Sequence, residues 1–442
     1  MSEHHYDLII VGGGVSGTAL CYMATRYSNI KKIAIVEKYS KLAQVSSLSS
    51  NNSQTLHCGD IETNYTIEKA VKVQHAAKML FNYTQLLEKN NHIISKFPKM
   101  VIGVGENEVE LLKKRFEIFS PHYPNMRLYD KQEIKRIEPS VVAGFNGDRP
   151  EQLIACGSEN EFCAVDFSAL SHSFIDQAEA HKDNRVDVYL DTKMHKIIKY
   201  DDIFEIQTNK ETLTASSVVV SCCGHSLLYA QEMGYGLNFS CLPVAGSFYF
   251  TPKILNGKVY TVQNDKLPFA AIHGDPDVLV DGKTRFGPTA LLLPMLERYN
   301  LSTIIDFLKV LKLDRGTVKV FWDLIKDHDI RNYIIRNMLF EIPILRTRLF
   351  LKDARKIVPG LMLNDLKFAK GYGGVRPQLI DKKAGKLLMG EAKIKPGNGI
   401  IFNMTPSPGA TSCLDNAEQD LRHISKYLGA SIDEDKLATE LN

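Results

Sequence analysis

YDLIIVGGGVSG (residues 6–17) is an apolar run that ends in a glycine turn. Gly12, Gly14 and Gly17 match G-x-G-x-x-G. TALCYMATRY (18–27) reads as a helix, and KKIAIVEK (31–38) as a second strand ending in Glu37. Glu37 lies 20 residues after Gly17, where a dinucleotide-binding fold places an acid for ribose hydroxyls. Glycine lets the backbone approach a pyrophosphate, and the helix N-terminus offers free N–H groups and a positive dipole end. The four features together predict a nucleotide fold at the start of the chain.

The spacing of later strands selects the dinucleotide. After Glu37 the chain does not complete a second mononucleotide half but leaves for SSLSSNNSQTLHCGD (46–60). Strand-like segments return much later, at VDVYLDTKMHKI (186–197) and TASSVVVSCCGHS (214–226), the latter ending its apolar run at Gly224. An extended FAD held by separated segments of one discontinuous domain suits this layout better than NAD.

Composition sets the outer bounds. The chain has 442 residues, 44% hydrophobic and 24% charged, as in ordinary globular proteins. A net charge of +3 is too small to imply nucleic acid. No apolar run reaches the ~18 residues that span a bilayer. The start, MSEHHYDLIIVGGG, lacks a basic n-region and a cleavage site, so the cytoplasm is the expected place. Eight cysteines without C-x-x-C or zinc-type spacing predict reduced structural thiols and no metal site.

Helical patterns cover 66–95, 107–120, 163–182 and 301–340, and short strands dominate 240–290 and 368–402. The predicted class is α/β with α+β character. A Rossmann-like FAD-binding domain (1–95, 160–235, 368–442) interleaves with a mixed-sheet substrate or cap domain (96–159, 236–367), similar to D-amino acid oxidase and glutathione reductase-type flavoproteins.

NNSQTLHCGDIETNY (51–65), CLPVAGSFYF (241–250), KVYTVQNDKLPFAAIHGDPD (258–277), RFGPTA (285–290), GYGGVRPQ (371–378) and NMTPSPGATSCL (403–414) follow one another in this order. Together they resemble a short, divergent branch of the FAD-dependent malate:quinone oxidoreductases, from about Tyr6 to Leu428. The wider layout is similar to flavin amine and 2-hydroxyacid oxidoreductases, including L-2-hydroxyglutarate dehydrogenase. The resemblance implies oxidation of (S)-malate to oxaloacetate through FAD, expected to be non-covalent, with electrons passing to a membrane quinone. It also implies a peripheral protein on the cytoplasmic face of the inner membrane. Another 2-hydroxyacid substrate (2-hydroxyglutarate, lactate) and a non-catalytic FAD-binding module are the competing readings. Ala245 stands where relatives acting on 2-hydroxyglutarate carry arginine.

Oxidising a 2-hydroxy acid requires a held carboxylate, a departing hydroxyl proton and a carbon facing the flavin. Arg376, just after the glycines of GYGGVRPQ, is the expected clamp, because a guanidinium grips carboxylate bidentately. His273 in AAIHGDPD is the favoured base, with His57 in QTLHCGD orienting or touching flavin; on sequence alone the two roles are interchangeable. Ser53, Gln54 and Thr55 are expected at the cofactor. The uncharged closing loop, with Ser407, Gly409, Ala410 and Thr411, is expected to offer backbone N–H groups to the negative edge of reduced flavin. Tyr249, Arg285, Lys283 and Tyr65 are candidates for the distal carboxylate.

Residues 330–352, IRNYIIRNMLFEIPILRTRLFLK, set Arg331, Arg336, Arg346, Arg348 and Lys352 against one acid, Glu341. Pro343 excludes a single helix. Two readings remain, a surface for anionic lipid and a core-facing helix with a solvated basic rim.

Overall fold

The computed structural model describes residues 5–88, 93–263, 271–388, 392–404 and 408–442. Its centre is the strand His5–Val11, in which Leu8, Ile9 and Ile10 are fully buried. A strand apolar on both faces belongs inside a parallel sheet. It pairs in parallel with Lys32–Val36 on one side and with Thr212–Val220 on the other. The order across this first sheet is Lys393–Ile394, Ile400–Asn403, Thr212–Val220, His5–Val11, Lys32–Val36, Arg185–Tyr189. An antiparallel hairpin, Met194–Tyr200 and Ile203–Thr208, joins it through Thr212–Val220. The strands of one sheet therefore come from widely separated stretches of sequence.

Helices Val15–Tyr27, Ile67–Leu86, Phe167–Glu179 and Cys413–Leu428 contribute to one core against this sheet. Tyr22, Tyr83 and Phe174 meet there ring to ring, 4.5–5.6 Å apart. The helix expected at 163–182 begins only at Phe167, where Asp166 caps it by accepting from Ser168 N and Ala169 N. Residues 163–165 instead finish the strand Leu153–Val165, because their backbone is taken up by the ladder with Ile94–Val104.

That ladder is part of an eight-stranded sheet that also holds Tyr249–Pro252, Lys258–Thr261, His273–Pro276 and Lys283–Gly287. A third, four-stranded sheet pairs Phe239–Ala245 antiparallel with Val375–Asp381, setting Val244 opposite Arg376. The helical stretch 301–340 is three helices: Thr303–Leu311, Arg315–Lys326 and His328–Leu339. Pro343 lies in the turn before a fourth, Arg346–Ile357, which stacks Phe350 on Tyr249 at 4.0 Å.

Candidate active site

The first of two adjoining cavities opens at the carboxyl ends of the central strands, lined by Val11, Val36 and Ser221 together with Gly12, Gly14 and Glu37. This is where open α/β sheets take their ligands. Gly12 has φ +109°, and a Cβ there would stand 2.5 Å from Ser221 O, so only glycine passes. Helix Val15–Tyr27 starts at Gly14 with no acid in its first turn, and its first N–H, on Val15, donates to Ser47 Oγ at 2.9 Å. Glu37 is buried and braces the turn: Oε2 accepts from Gly13 N at 2.8 Å and Oε1 from Tyr39 N at 2.9 Å. Burial pushes its pKa up, against the pull of those amides and Lys38. A helix N-terminus beside a glycine turn fits a pyrophosphate.

The second cavity shares Ser46 and Cys223 with the first, so one extended ligand can occupy both. Its walls include Asn51, Ser53, Thr55 and His57, the stretch Gly374–Pro377, and the closing loop Pro408–Thr411. Among the described residues none that lines it is acidic, and Arg376 carries the one fixed charge. Thr411 Oγ1 accepts from His57 N at 3.1 Å and donates to Thr55 O at 3.3 Å, which pins the loop over the wall. Among the described residues, no acceptor takes the backbone N–H of Gly409, Ala410 or Thr411. These three donors suit the negative edge of a bound ring. Ser407 lies outside the described residues.

His57 is held from behind. Its Nδ1 lies 2.6 Å from Glu62 Oε1, and Glu62 Oε2 accepts from Gly59 N at 3.0 Å. Burial pushes the Glu62 pKa up, but the His57 hydrogen bond and charge, with Lys99 nearby, bring it below its ordinary value. Arg115 fastens the same turn, donating to the carbonyl of Glu62 at 2.8 Å and to that of Gly59 at 3.3 Å. A buried Lys99 pairs with Asp60 at 2.8 Å and Glu161 at 2.7 Å underneath.

Arg376 is the opposite case. Among the described residues no carboxylate or hydrogen-bond acceptor holds its guanidinium. Burial lowers its pKa, and Tyr260, Tyr65 and Tyr333 are the titratable groups that act on it in return. A half-buried guanidinium on a cavity wall, without a partner among the described residues, calls for an anion.

The description "Malate:quinone oxidoreductase (Mqo)" matches residues 4–426. A probable malate:quinone oxidoreductase of Campylobacter jejuni is 51% identical over 448 residues, covering 100% of both chains. The chain belongs to the malate:quinone oxidoreductase family. It is an oxidoreductase with the fold of flavin-dependent oxidases. Glycine oxidase from Geobacillus kaustophilus superposes with a TM-score of 0.66 at 15% identity, covering 96% of this chain and 95% of the other. L-α-glycerophosphate oxidase from Mycoplasma pneumoniae, solved with FAD bound, gives 0.63 at 20% identity, with 98% and 96% covered.

Within this malate:quinone oxidoreductase family member, several residues singled out from sequence lie away from the second cavity. His273 is 2% exposed and stacked on Tyr260, centroids 4.4 Å apart, and is absent from the cavity lining. Burial drives its pKa down to about 3, and its Nε2 has no hydrogen-bond partner among the described residues, with Asp275 Oδ2 3.9 Å away. Tyr249 is fully buried under Phe350. Arg285 is a strut: it donates to Asn52 O at 3.1 Å and Ser53 O at 2.9 Å, with Asp275 and Asp277 beside it. Lys283 is exposed. Gln54 is spent on Ser49 O, Asp277 and Val278 N. Gly224 packs against Leu296 and Pro377. Tyr65 alone of the distal-carboxylate candidates acts on Arg376. Sequence reading passed over Glu62, although an acid five residues after a histidine was a usable signal, and over Cys223 at the junction of the cavities.

Proposed function

We propose that this enzyme oxidises (S)-malate to oxaloacetate with non-covalent FAD and delivers the electrons to a membrane quinone. The observation that carries this reading is Arg376, unpaired among the described residues and in one cavity with His57 and the closing-loop amides, where no described lining residue is acidic. A dianionic 2-hydroxy acid matches that field.

FAD is expected along the trench, with Gly12, Gly14 and the start of helix Val15–Tyr27 at its phosphates, Glu37 on the ribose side, and Ser53, Thr55, Gly409, Ala410 and Thr411 around its ring. Bound there, it supplies the two-electron acceptor. Non-covalent binding is favoured because Cys58 Sγ faces Leu56 O and Phe162 O rather than the cavity. Arg376 holds the carboxylate next to the reacting carbon, bidentately. Tyr65 is the candidate for the distal one. His57 takes the hydroxyl proton on Nε2, since Glu62 occupies Nδ1 and fixes the tautomer. The base is assigned to His57 rather than His273, because a nitrogen driven to about pKa 3 is a poor proton acceptor at neutral pH. The loop amides stabilise negative charge that builds at the cavity floor.

A lipid-dissolved acceptor favours a peripheral protein on the cytoplasmic face of the inner membrane. No helix among the described residues is long and apolar enough to cross a membrane. In 330–352, Asp353 engages Arg336, Arg346 lies over Phe368 and Arg331 donates to Ile325 O, leaving Arg348 and Lys352 for a lipid surface. The visible spectrum, taken anaerobically, tests the whole reading. Flavin peaks should bleach with (S)-malate and return with a quinone analogue. Peaks that ignore malate and bleach with lactate or 2-hydroxyglutarate overturn the substrate.

A further inference from the structure

Helices Thr303–Leu311 and Arg315–Lys326 leave an apolar side uncovered. Leu301, Ile305 and Leu308, spaced i, i+4, i+7, are 71%, 63% and 57% exposed. Val318, Trp322 and Ile325 repeat that spacing at 55%, 58% and 49%. Leu313, Val318 and Trp322 line one open groove along the start of the second helix. The helix Arg315–Lys326 buries only Thr317 and Val320. Scattered exposed apolar residues are normal, but two successive helices that each leave an apolar side uncovered mark an interaction surface.

The charges around the patch choose its partner. Lys309, Lys312, Arg315, Lys319 and Lys326 have no carboxylate partner among the described residues. Of the nearby acids, Asp306 is held by His225 at 3.3 Å and Asp314 by Lys382 at 2.8 Å, which leaves Asp323. The rim is thus cationic. A second copy of this chain would set those cations against one another. An anionic bilayer takes both the apolar side and the rim, and helices with this division lie in the headgroup region.

We propose that the helix pair 303–326 is a membrane-docking element that buries Trp322 and its apolar neighbours at the surface of an anionic bilayer. The element is distinct from 330–352, where Phe340, Phe350 and Leu351 are spent on the core. It rests on the quinone reading only for its purpose, since a bilayer-dissolved acceptor has to be met at the membrane.

Trp322 is the only tryptophan in the sequence, so it reports on its own surroundings. The FAD-loaded protein is mixed at low salt with vesicles of phosphatidylglycerol and phosphatidylcholine, and with phosphatidylcholine alone. Emission should shift to shorter wavelength, and acrylamide quenching should fall, with the anionic vesicles only. The double variant Leu308→Ser/Ile325→Ser, which keeps Trp322, should bind these vesicles at least about tenfold more weakly. Its flavin absorbance and malate-driven dye reduction should match the parent protein. An unmoved emission spectrum with anionic vesicles overturns the proposal. So does a lipid-free shift that follows protein concentration with a doubled mass by light scattering, which would make the patch a dimer interface. Malate bleaching without an emission shift removes only the docking element. An emission shift without bleaching removes only the substrate.

Discussion

The imidazole of His57 meets Glu62 across 2.6 Å, with the carboxylate buried behind the ring and the cavity on its other side. Replacing Glu62 by Gln should lower kcat for malate by about 10–100-fold with little change in KM, because the pair orients a base and does not touch the substrate. His57→Gln should cost more, about 10²–10⁴-fold in kcat. His273→Gln should keep most of the activity and the acidic limb of the pH–rate profile. Loss of that limb in a His273→Gln protein with full flavin content would return the base to His273.

Arg376 tests the clamp. A lysine keeps the charge but loses the two parallel donors, so Arg376→Lys should raise KM for malate by about 10–100-fold at unchanged flavin content. Steady-state kinetics in malate decide it. Unchanged constants remove Arg376 from the site.

Gly12 tests the cradle. A methyl group there needs both a strained φ of +109° and space occupied by Ser221 O. Gly12→Ala should therefore purify with little or no bound flavin, read from absorbance against protein concentration. Full occupancy in the variant would move the phosphate site elsewhere.

Glu138 provides a pH test away from the site. It is fully buried, and burial raises its pKa to about 7, against the amides of Asn256 and Gly257. The folded form thus binds the proton more tightly than the unfolded chain, whose ordinary value is 4.5. Stability from this group is complete below about pH 4.5 and is lost as pH rises to about 7. Glu138→Gln should be the more stable protein at pH 8, by on the order of 1–3 kcal/mol, and equal to the parent at pH 4.5. Equal urea midpoints at both pH values would show that the carboxyl is not paying for its burial.

Local patterns carried the first strand, the glycine turn, the next helix and the second strand, because each rests on short-range periodicity. Arg376 and the closing loop were legible for another reason, since an arginine among glycines and a charge-free loop are unusual as local composition. Pairing across long separations was not legible. Arg285 reads as an available cation until the 52–53 carbonyls, brought from far up the chain, consume its donors. Tyr249 and His273 read as pocket residues at strand ends. Phe350 covers the one and Tyr260 the other, and neither contact leaves a trace in the local sequence. The 163–182 misreading has the same cause, a strand ladder that outweighs local helix preference.

The interleaving of the first sheet has a consequence for synthesis. His5–Val11 leaves the ribosome early, but one of its flanking strands is Thr212–Val220, which in turn needs Ile400–Asn403. At roughly 5–20 residues per second, the earliest apolar strand waits tens of seconds for its last neighbours. During that interval it is an unpaired sticky edge, so nascent chains stalled before residue 400 should be a preferred cargo of chaperones that hold extended apolar segments.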